Sequence, residues 1–345
     1  MATLKDVAKE TGLTVSTVSR VLNNRGYISA QTRERVYEAM KKLNYQPNEL
    51  ARSLSKQTTN TVGVIVPHID HPYFARLLSS LETAAYRNGY KLLLFNSKDR
   101  DEKEDEYLEM CKGSRVAGII LCSGSVDTQR FRDLNVPLVT IERFLEQGTA
   151  AVECDNRQGG RLAARHLLEC GCENVIYLSG ENDVSMPADD RALGFTEICR
   201  QEGIHCLDPG KEIDARLYAS LDYHTYIEKI LTEYPEIDGI FASSDVIAAQ
   251  VIQICSKKGI RIPEKMKLIG FDDSSIASLT TPGITTIRQP VREMAELAVQ
   301  MIARAERKEI VPNRTTLPVT LIRRGATRRT GAVRTAPVLT AGGRL

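Results

Sequence analysis

Long apolar runs are missing from this chain of 345 residues. A membrane-spanning helix needs about 18 or more consecutive apolar residues, and no such stretch occurs, so the sequence predicts no membrane span. The opening residues, MATLKDVAKE, contain acids and no apolar segment, so we expect no secretory signal. Both absences favour a cytoplasmic protein with an ordinary folded composition, 42% hydrophobic and 26% charged.

The sequence also lacks the patterns of a disulfide scaffold, a metal site and an active site. Its eight cysteines are scattered from Cys111 to Cys255, which suits a reducing compartment. The tightest group, His166, Cys170 and Cys172, has neither a fourth ligand nor a matching second pair for zinc. No nucleophile–base pattern, phosphate loop or dinucleotide motif is present. We therefore expect no metal, no cofactor and no catalysis.

Charge is distributed unevenly along the chain. Residues 1–60 hold ten Lys or Arg and five Asp or Glu, and residues 323–345 hold six Arg and no acid. Because the whole chain has a net charge of +2, the remaining residues carry −9. A basic head on an acidic body favours a polyanion as the partner of the head alone. A merely solvated basic surface is the alternative that charge leaves open.

The first 60 residues have the pattern of short helices. Thr3 is placed to cap a helix that Gly12 ends, Thr14 to cap the stretch TVSTVSRVLN, and Ser29 to cap a third helix to about Leu43. The spacing predicts burial of six apolar residues, Val18, Val21, Leu22, Val36, Met40 and Leu43. Pro47 suits the first turn of a short segment that reaches Lys56, and polar residues 57–60 read as a linker.

From residue 61 the pattern changes to short apolar runs that alternate with helical stretches. The predicted strands are 62–67, 91–96, 116–123, 137–142, 174–180, 239–244 and 267–272. The predicted helices include 74–88, 158–169, 190–202 and 245–258. Continuous apolar strands that alternate with helices predict parallel sheets covered on both faces, here divided into two lobes.

Motifs along the chain resemble those of the lactose-repressor/galactose-repressor family of bacterial transcription regulators. The head, from TLKDVAKETGLTVSTVSRVLN to YQPNELARSL, carries the most specific likeness. Less specific motifs follow in the order expected for the family: HPYF, AGIILCS, DNRQGG, DRALGF, IGFDD and TTIRQP. The resemblance covers about residues 2–325.

The resemblance implies an all-α helix-turn-helix head, a hinge helix and a two-lobed α/β core similar to periplasmic sugar-binding proteins. We expect the head at residues 1–46, the hinge and linker at 47–60, the core at 61–325 and a basic, disordered tail at 326–345. It further implies a homodimer that binds a pseudo-palindromic, double-stranded operator, and thus a cytoplasmic, nucleoid-associated protein.

In the head, the helix predicted from TVSTVSRVLN presents short polar side chains to DNA. A recognition helix enters the major groove by its N-terminal residues, where short Ser16, Thr17 and Ser19 permit close approach. The methyl groups of Val15 and Thr17 suit thymine, and Arg20 suits guanine. In the family, positions that match Val15, Ser16 and Arg20 read bases, whereas we expect phosphate contacts from Thr3, Ser19 and Asn23.

The segment Pro47–Lys56 resembles the family's hinge, which becomes helical on the operator. Leu54 matches the leucine that enters the minor groove, and Ala51 is small enough for paired hinge helices to approach. A protein-interaction module is the alternative for the whole head.

The resemblance places an effector in a cleft between the lobes. The expected residues follow strand ends: Tyr73, Phe74, Ser123, Arg191, Phe241 and Asp272. Arg191 and Asp272 would grip vicinal hydroxyls, and Phe74 or Phe241 would cover a sugar face. Strand core is the alternative for Phe241, and surface pairing with Asp189 or Asp190 is the alternative for Arg191.

Two departures from the family pattern limit the chemical class of the expected effector. Ser244 precedes Asp245 where many sugar-responsive members have asparagine, and Ser185 stands where purine-responsive members have a second arginine. A nucleobase is therefore disfavoured, while HPYF with KEDEYLEM is most similar to the sucrose- and fructoside-responsive branch.

Two functions remain open from the sequence. The first is a repressor of carbohydrate-utilisation genes controlled by a sugar or sugar phosphate. The second is a catabolite-type regulator whose core docks a phosphorylated carrier protein as corepressor.

Overall fold

A computed structural model describes residues 2–22, 26–46, 59–98, 100–123, 134–145, 148–179, 186–207 and 220–328. Backbone contacts divide the chain into two compact units, residues 1–59 and 60–345. Across the described ranges, no helix is long and apolar enough to cross a lipid bilayer.

The described residues of the first unit form three helices, α1 (Leu4–Thr11), α2 (Val15–Leu22) and α3 (Ala30–Lys42). Thr3 caps α1 in a reciprocal arrangement: its hydroxyl oxygen accepts the Asp6 N–H at 3.4 Å, and its backbone N–H donates to the Asp6 carboxylate at 2.7 Å. Gly12 ends α1 at a φ of 61°, a left-handed conformation that glycine adopts without strain. Thr14 and Ser29 cap α2 and α3 through Thr17 and Thr32 N–H groups, as their positions predict.

The three helices enclose a small apolar core. Its buried members are Val7, Ala8, Val18, Val21, Val36 and Ala39. The α2 and α3 valines in this set confirm the prediction, whereas Leu22, Met40 and Leu43 are partly buried and pack against the core; on α3 it is Ala39 that is buried with Val36. Val15 is 40% exposed, so it lies off the core face of α2.

The second unit is a two-lobed α/β structure. Its described strands are β1 (Thr61–Val66), β2 (Lys91–Asn96), β3 (Gly118–Leu121), β4 (Leu138–Ile141), β5 (Ala150–Cys154), β6 (Asn174–Leu178), β7 (His205–Leu207), β8 (Gly239–Ala242), β9 (Lys267–Asp272), β10 (Thr285–Arg288), β11 (Arg314–Leu317) and β12 (Thr320–Ile322). Its described helices are α4 (Pro72–Arg87), α5 (Asp101–Gly113), α6 (Asn156–Glu169), α7 (Asp190–Glu202), α8 (His224–Glu233), α9 (Asp245–Lys257), α10 (Ser275–Leu279) and α11 (Val291–Glu306).

Each lobe is built on one six-stranded sheet. Lobe 1 has the order β11-β5-β4-β3-β1-β2 and lobe 2 the order β12-β10-β9-β8-β6-β7. The described pairings are parallel except that β12 runs antiparallel to β10. The chain passes between lobes after β5, after β10 and after β11, since α6 packs on lobe 2 and α11 on lobe 1. The predicted two-lobed parallel α/β core is confirmed.

The seven predicted strands all occur, and 91–96 and 267–272 have the predicted bounds. Five strands were not predicted: β5, β7, β10, β11 and β12. Three of these, β7, β11 and β12, lie at sheet edges and are three or four residues long, so they need no continuous apolar run.

Two glycines bring α6 and α7 into backbone contact. A Cβ added to Gly194 would lie 1.9 Å from the Arg157 carbonyl oxygen, and one added to Gly160 would lie 2.0 Å from the Arg191 carbonyl oxygen. Any larger residue would push the helices apart. This crossing sets the N-terminal turn of α7 beside that of α6, and it explains the second glycine of DNRQGG, Gly160, and the glycine of DRALGF, Gly194.

Candidate nucleic-acid interface and effector cleft

The exposed edge of α2 carries the residues predicted to read DNA. Val15, Ser16 and Arg20 are exposed, and Thr17 and Ser19 are partly exposed. Some of the hydroxyl groups also serve the fold, because the Thr14 hydroxyl bonds with those of Ser16 and Thr17 at 3.0 and 2.9 Å. Some of the Ser and Thr hydroxyl groups therefore stabilise the start of the helix, while others are exposed and available to a partner.

Three further observations concern the head. Tyr27, which sequence reasoning did not single out, is 99% exposed and lines one surface pocket with Thr17 and Arg20. Thr3 is exposed, but its hydroxyl is engaged by Asp6, so its phosphate contact stays a prediction. The predictions for Asn23, Ala51 and Leu54 fall outside the described residues.

The cleft lies where the carboxyl ends of both sheets face each other, and Arg191 is its central cation. Its side chain is 9% exposed. Nε donates to Asn156 Oδ1 at 2.7 Å and Nη1 donates to the Ser243 carbonyl oxygen at 2.8 Å. Nη2 lies 3.8 Å from Glu142 Oε2, and the guanidinium carbon lies 3.6 Å from the centre of the Phe271 ring. The guanidinium is thus held by both lobes instead of by Asp189 or Asp190.

Glu142 and Asn156 form the second layer of this network. Glu142 Oε1 accepts the Cys154 N–H at 2.6 Å, and its Oε2 accepts Asn156 Nδ2 at 2.8 Å. The amide orientation of Asn156 is thereby fixed, so that its oxygen faces Arg191. Asn156 stands within the DNRQGG motif, which could have indicated it, whereas no sequence signal indicated Glu142.

Asp272 lies at the end of β9 and is 5% exposed. Its Oδ1 accepts Gln289 Nε2 at 2.8 Å. Burial raises the pKa of Asp272 to about 8, although the nearby Arg191 charge acts in the opposite direction. Gln289, in the motif TTIRQP, was not among the predicted site residues.

Asp245, at the start of α9, sits behind the cleft wall. Its carboxylate accepts the Ser274 N–H at 2.7 Å and the Thr286 hydroxyl at 2.6 Å. Burial raises the pKa of Asp245 to about 6. Ser244 caps α9 by accepting the Ile247 N–H at 3.3 Å, and it supplies no amide to the cleft.

Lobe 1 contributes Tyr73, Phe74 and Ser123. Burial raises the pKa of Tyr73 well above its ordinary value, and the charges of Glu142 and Asp272 add to this, so the phenol faces the same cluster. His71 caps α4 by accepting the Tyr73 N–H at 3.2 Å, and burial lowers the pKa of His71 to about 4. Phe74 is 7% exposed against the Tyr73 ring, and its contact with a ligand stays a prediction.

The structure corrects the prediction for Phe241. Its side chain is fully buried, and its ring packs against Tyr177, Phe195 and Phe271 at centroid distances of 5.0, 5.4 and 6.4 Å. The residue lies one position inside the end of β8, so its ring points into the core and offers no face to the cleft. The alternative of strand core is the correct one.

Several buried polar atoms have no hydrogen-bond partner within the described ranges. Tyr73 Oη and Gln289 Oε1 belong to this cluster, and Asn96 Oδ1 and Ser123 Oγ lie at the carboxyl ends of the lobe 1 strands β2 and β3. Leaving such an atom unpaired costs about 1–3 kcal/mol, so native folds rarely retain several together without a partner to supply the missing bonds. The cluster is therefore suited to a ligand that carries several hydroxyl groups.

Comparisons with known proteins agree with this architecture. A family model for "Bacterial regulatory proteins, lacI family" matches residues 3–48, and one for a "Periplasmic binding protein-like domain" matches residues 164–327. A ribose operon repressor of Halalkalibacterium halodurans is 35% identical over 334 residues, which is 95% of this chain and 98% of that protein. The chain belongs to the LacI family of bacterial regulatory proteins.

Two further relatives cover nearly the whole chain. A sucrose operon repressor of Streptococcus mutans is 34% identical over 93% of this chain and 98% of that protein. The structure of a transcriptional regulator, CelR, in complex with cellobiose is 26% identical, with a TM-score of 0.70, and covers 94% of this chain and 100% of that one. The LacI-family chain is thus a DNA-binding transcriptional regulator, and membership of a regulator family confirms that it is not an enzyme.

Replacing Asp272 by Asn should stabilise the protein in a pH-dependent way. The folded carboxyl keeps its proton to about pH 8, whereas the unfolded one releases it near pH 4. Stability therefore falls as pH rises between these values, and the cost of the buried charge is complete above pH 8. Thermal unfolding should show that Asp272→Asn raises Tm by a few degrees at pH 8.5 and much less at pH 5. A constant difference across this range, or the same trend in the exposed control Glu264→Gln, would contradict the assignment.

Proposed function

We propose that this LacI-family regulator is a repressor of carbohydrate-utilisation genes whose operator binding is controlled by a sugar in the interlobe cleft. The observation that carries the proposal is that buried polar atoms at the carboxyl ends of the strands, among them Tyr73 Oη and Gln289 Oε1 beside Asp272, have no hydrogen-bond partner among the described residues. A sugar hydroxyl both donates and accepts, so it suits the phenol of Tyr73, the hydroxyl of Ser123 and the carbonyl of Gln289 alike.

The charges of the cleft favour a neutral sugar over a sugar phosphate. Arg191 already bonds to Asn156 and Ser243, and Glu142 and Asp272 are the acids nearest to it. A phosphate placed here would meet the Glu142 carboxylate, which lies 3.8 Å from Arg191 Nη2, and like charges in a buried site repel strongly. The relatives named for ribose and sucrose operons, and the cellobiose complex, support a sugar of this kind.

The head is proposed to read the operator through α2. Val15, Ser16, Thr17 and Arg20 would contact base edges, since they lie on the exposed edge of a short helix whose opposite face forms the core. Arg20 would donate to guanine, and Ser19 with Thr3 would hold phosphates.

Asn23, in the head directly after α2, would bind phosphate together with Thr3 and Ser19. The segment after the head is proposed to complete the operator contact: Leu54 would wedge into the minor groove, and Ala51 would let two hinge helices approach at residues 47–60. This part of the proposal rests on the family motif YQPNELARSL alone.

Two copies are proposed to act together as a homodimer on a pseudo-palindromic site. Strand β2 forms an edge of the lobe 1 sheet, where Leu94 is 45% exposed, and Tyr86 on the preceding helix is 78% exposed. Apolar groups at a free sheet edge favour pairing with another chain. We place this dimer in the cytoplasm, at the nucleoid; the eight free thiols are in keeping with that compartment.

Arg20→Ala should relax base preference at one symmetric position of each operator half-site. A bidentate arginine–guanine contact contributes about 1–3 kcal/mol of discrimination. Binding to a library of single-base operator variants, at fixed salt, measures this loss. Lys42→Ala is the matched control: it removes the same unit charge, but this ammonium pairs with Glu10 at 2.6 Å. An unchanged base preference in Arg20→Ala would remove Arg20 from the reading residues.

Sugars that bind the cleft should raise the unfolding temperature of the full-length protein. A ligand at a hundred times its Kd adds about 2.7 kcal/mol to the stability of the folded state. A thermal-shift screen should include ribose, fructose, sucrose and cellobiose, with adenine and hypoxanthine as purine controls. We expect a shift with at least one sugar and none with the purines.

The same screen decides between the two functions left open by the sequence. If no sugar shifts the protein, while a phosphorylated carrier protein tightens operator binding, the sugar-controlled repressor is wrong and the corepressor model replaces it.

A further inference from the structure

Arg76 makes a direct hydrogen bond from one lobe to the other. Its Nη1 donates to the carbonyl oxygen of Asp273 at 2.7 Å, across 197 residues of sequence. Arg76 lies on α4 of lobe 1, one turn after Tyr73, and Asp273 directly follows Asp272 at the end of β9 in lobe 2. The bond therefore joins two segments that each present a side chain to the proposed effector.

The acceptor in lobe 2 is held rigidly. Asp272 and Asp273 have φ angles of 103° and 53°, in a region that residues other than glycine seldom occupy. The Asp273 carboxylate accepts Arg288 Nε and Arg324 Nη2, both at 2.6 Å. Backbone conformations of this kind persist only where the surroundings enforce them, and here two arginines and the bond from Arg76 do so.

The donor would be an ordinary surface arginine without this bond. Arg76 is largely exposed, and its neighbours on α4 lie within lobe 1. The same helix offers a contrast: Arg87 reaches Glu296 on α11, a helix of the same lobe, at 3.4 Å. One arginine of α4 thus ties the lobe to itself, and the other ties it to the turn that carries Asp272.

We propose that Arg76 is a positioning residue for effector binding. By bonding to the Asp273 carbonyl, it holds the Asp272 turn against the start of α4 and favours the arrangement in which both lobes grip the effector. The proposal rests on the proposed function in that the effector binds in this cleft. When a ligand binds only one arrangement of the lobes, its apparent affinity is proportional to the population of that arrangement. Loss of the Arg76 bond would lower that population and so raise the apparent Kd.

The test compares Arg76→Ala, Arg76→Lys and the control Arg87→Ala in the full-length protein. Hydrogen exchange without any sugar should be faster in Arg76→Ala for peptides that cover residues 72–78 and 270–277. Calorimetric titration with the sugar found by the thermal-shift screen should give a Kd about threefold to tenfold higher for Arg76→Ala. Arg76→Lys, which keeps one donor, should fall between Arg76→Ala and the unaltered protein, and Arg87→Ala should match the unaltered protein in both measurements.

The two arms separate this proposal from the proposed function. If exchange without sugar is unchanged in Arg76→Ala, or if exchange rises and Kd does not, Arg76 is not a positioning residue. Equal effects of Arg87→Ala would likewise overturn the proposal, since they would reflect general loosening of α4. If no sugar binds the unaltered protein, the proposed function fails, and the sugar-free exchange arm alone decides whether Arg76 ties the lobes together.

Discussion

The guanidinium of Arg191 cannot be buried unless oxygen acceptors surround it. A buried cation without partners would cost far more than a fold of marginal stability can bear. Asn156, Ser243 and Glu142 meet this requirement, and they come from the start of α6, the end of β8 and the end of β4. The two hydrogen bonds come from lobe 2 and the ion pair with Glu142 comes from lobe 1, so this one side chain links the two lobes. The close crossing of α6 and α7 serves the same arrangement, since it places Arg191 and Asn156 side by side.

Much of the core could be predicted because the sequences of buried parallel strands are continuous apolar runs. KLLLFN and KLIGFD form β2 and β9 with the predicted bounds. The strands β10, β11 and β12 were not predicted because they lack a continuous apolar run. RTTL and TLI form edge strands, whose pairing on one side needs no apolar run, and TTIR forms a central strand with Thr285 and Thr286 fully buried. Those threonines are tolerated inside because their hydroxyls bond to Thr327 and Asp245. Such partners are distant in sequence, so local patterns do not show them.

The candidate site could be predicted in part for a related reason. Family motifs indicated Arg191 and Asp272, and both lie buried in one cluster. Phe241 was misplaced because a one-residue shift along a strand turns a side chain from the cleft to the core. Glu142 could not be foreseen, since its role depends on which backbone N–H and which amide approach it from β5 and α6. Sequence motifs therefore predict the residues expected to contact a ligand more readily than they predict the residues that orient those side chains.

We propose that a sugar held by Arg191 in this cleft controls operator binding. The most direct measurement is the anisotropy of a labelled operator as sugar is added to the unaltered protein and to Arg191→Lys. Lysine keeps the charge but cannot make the planar set of bonds to Asn156 and Ser243. We expect the two proteins to bind the operator equally well without sugar, and Arg191→Lys to release it only at a much higher sugar concentration. A response at the same concentration in both proteins would contradict it.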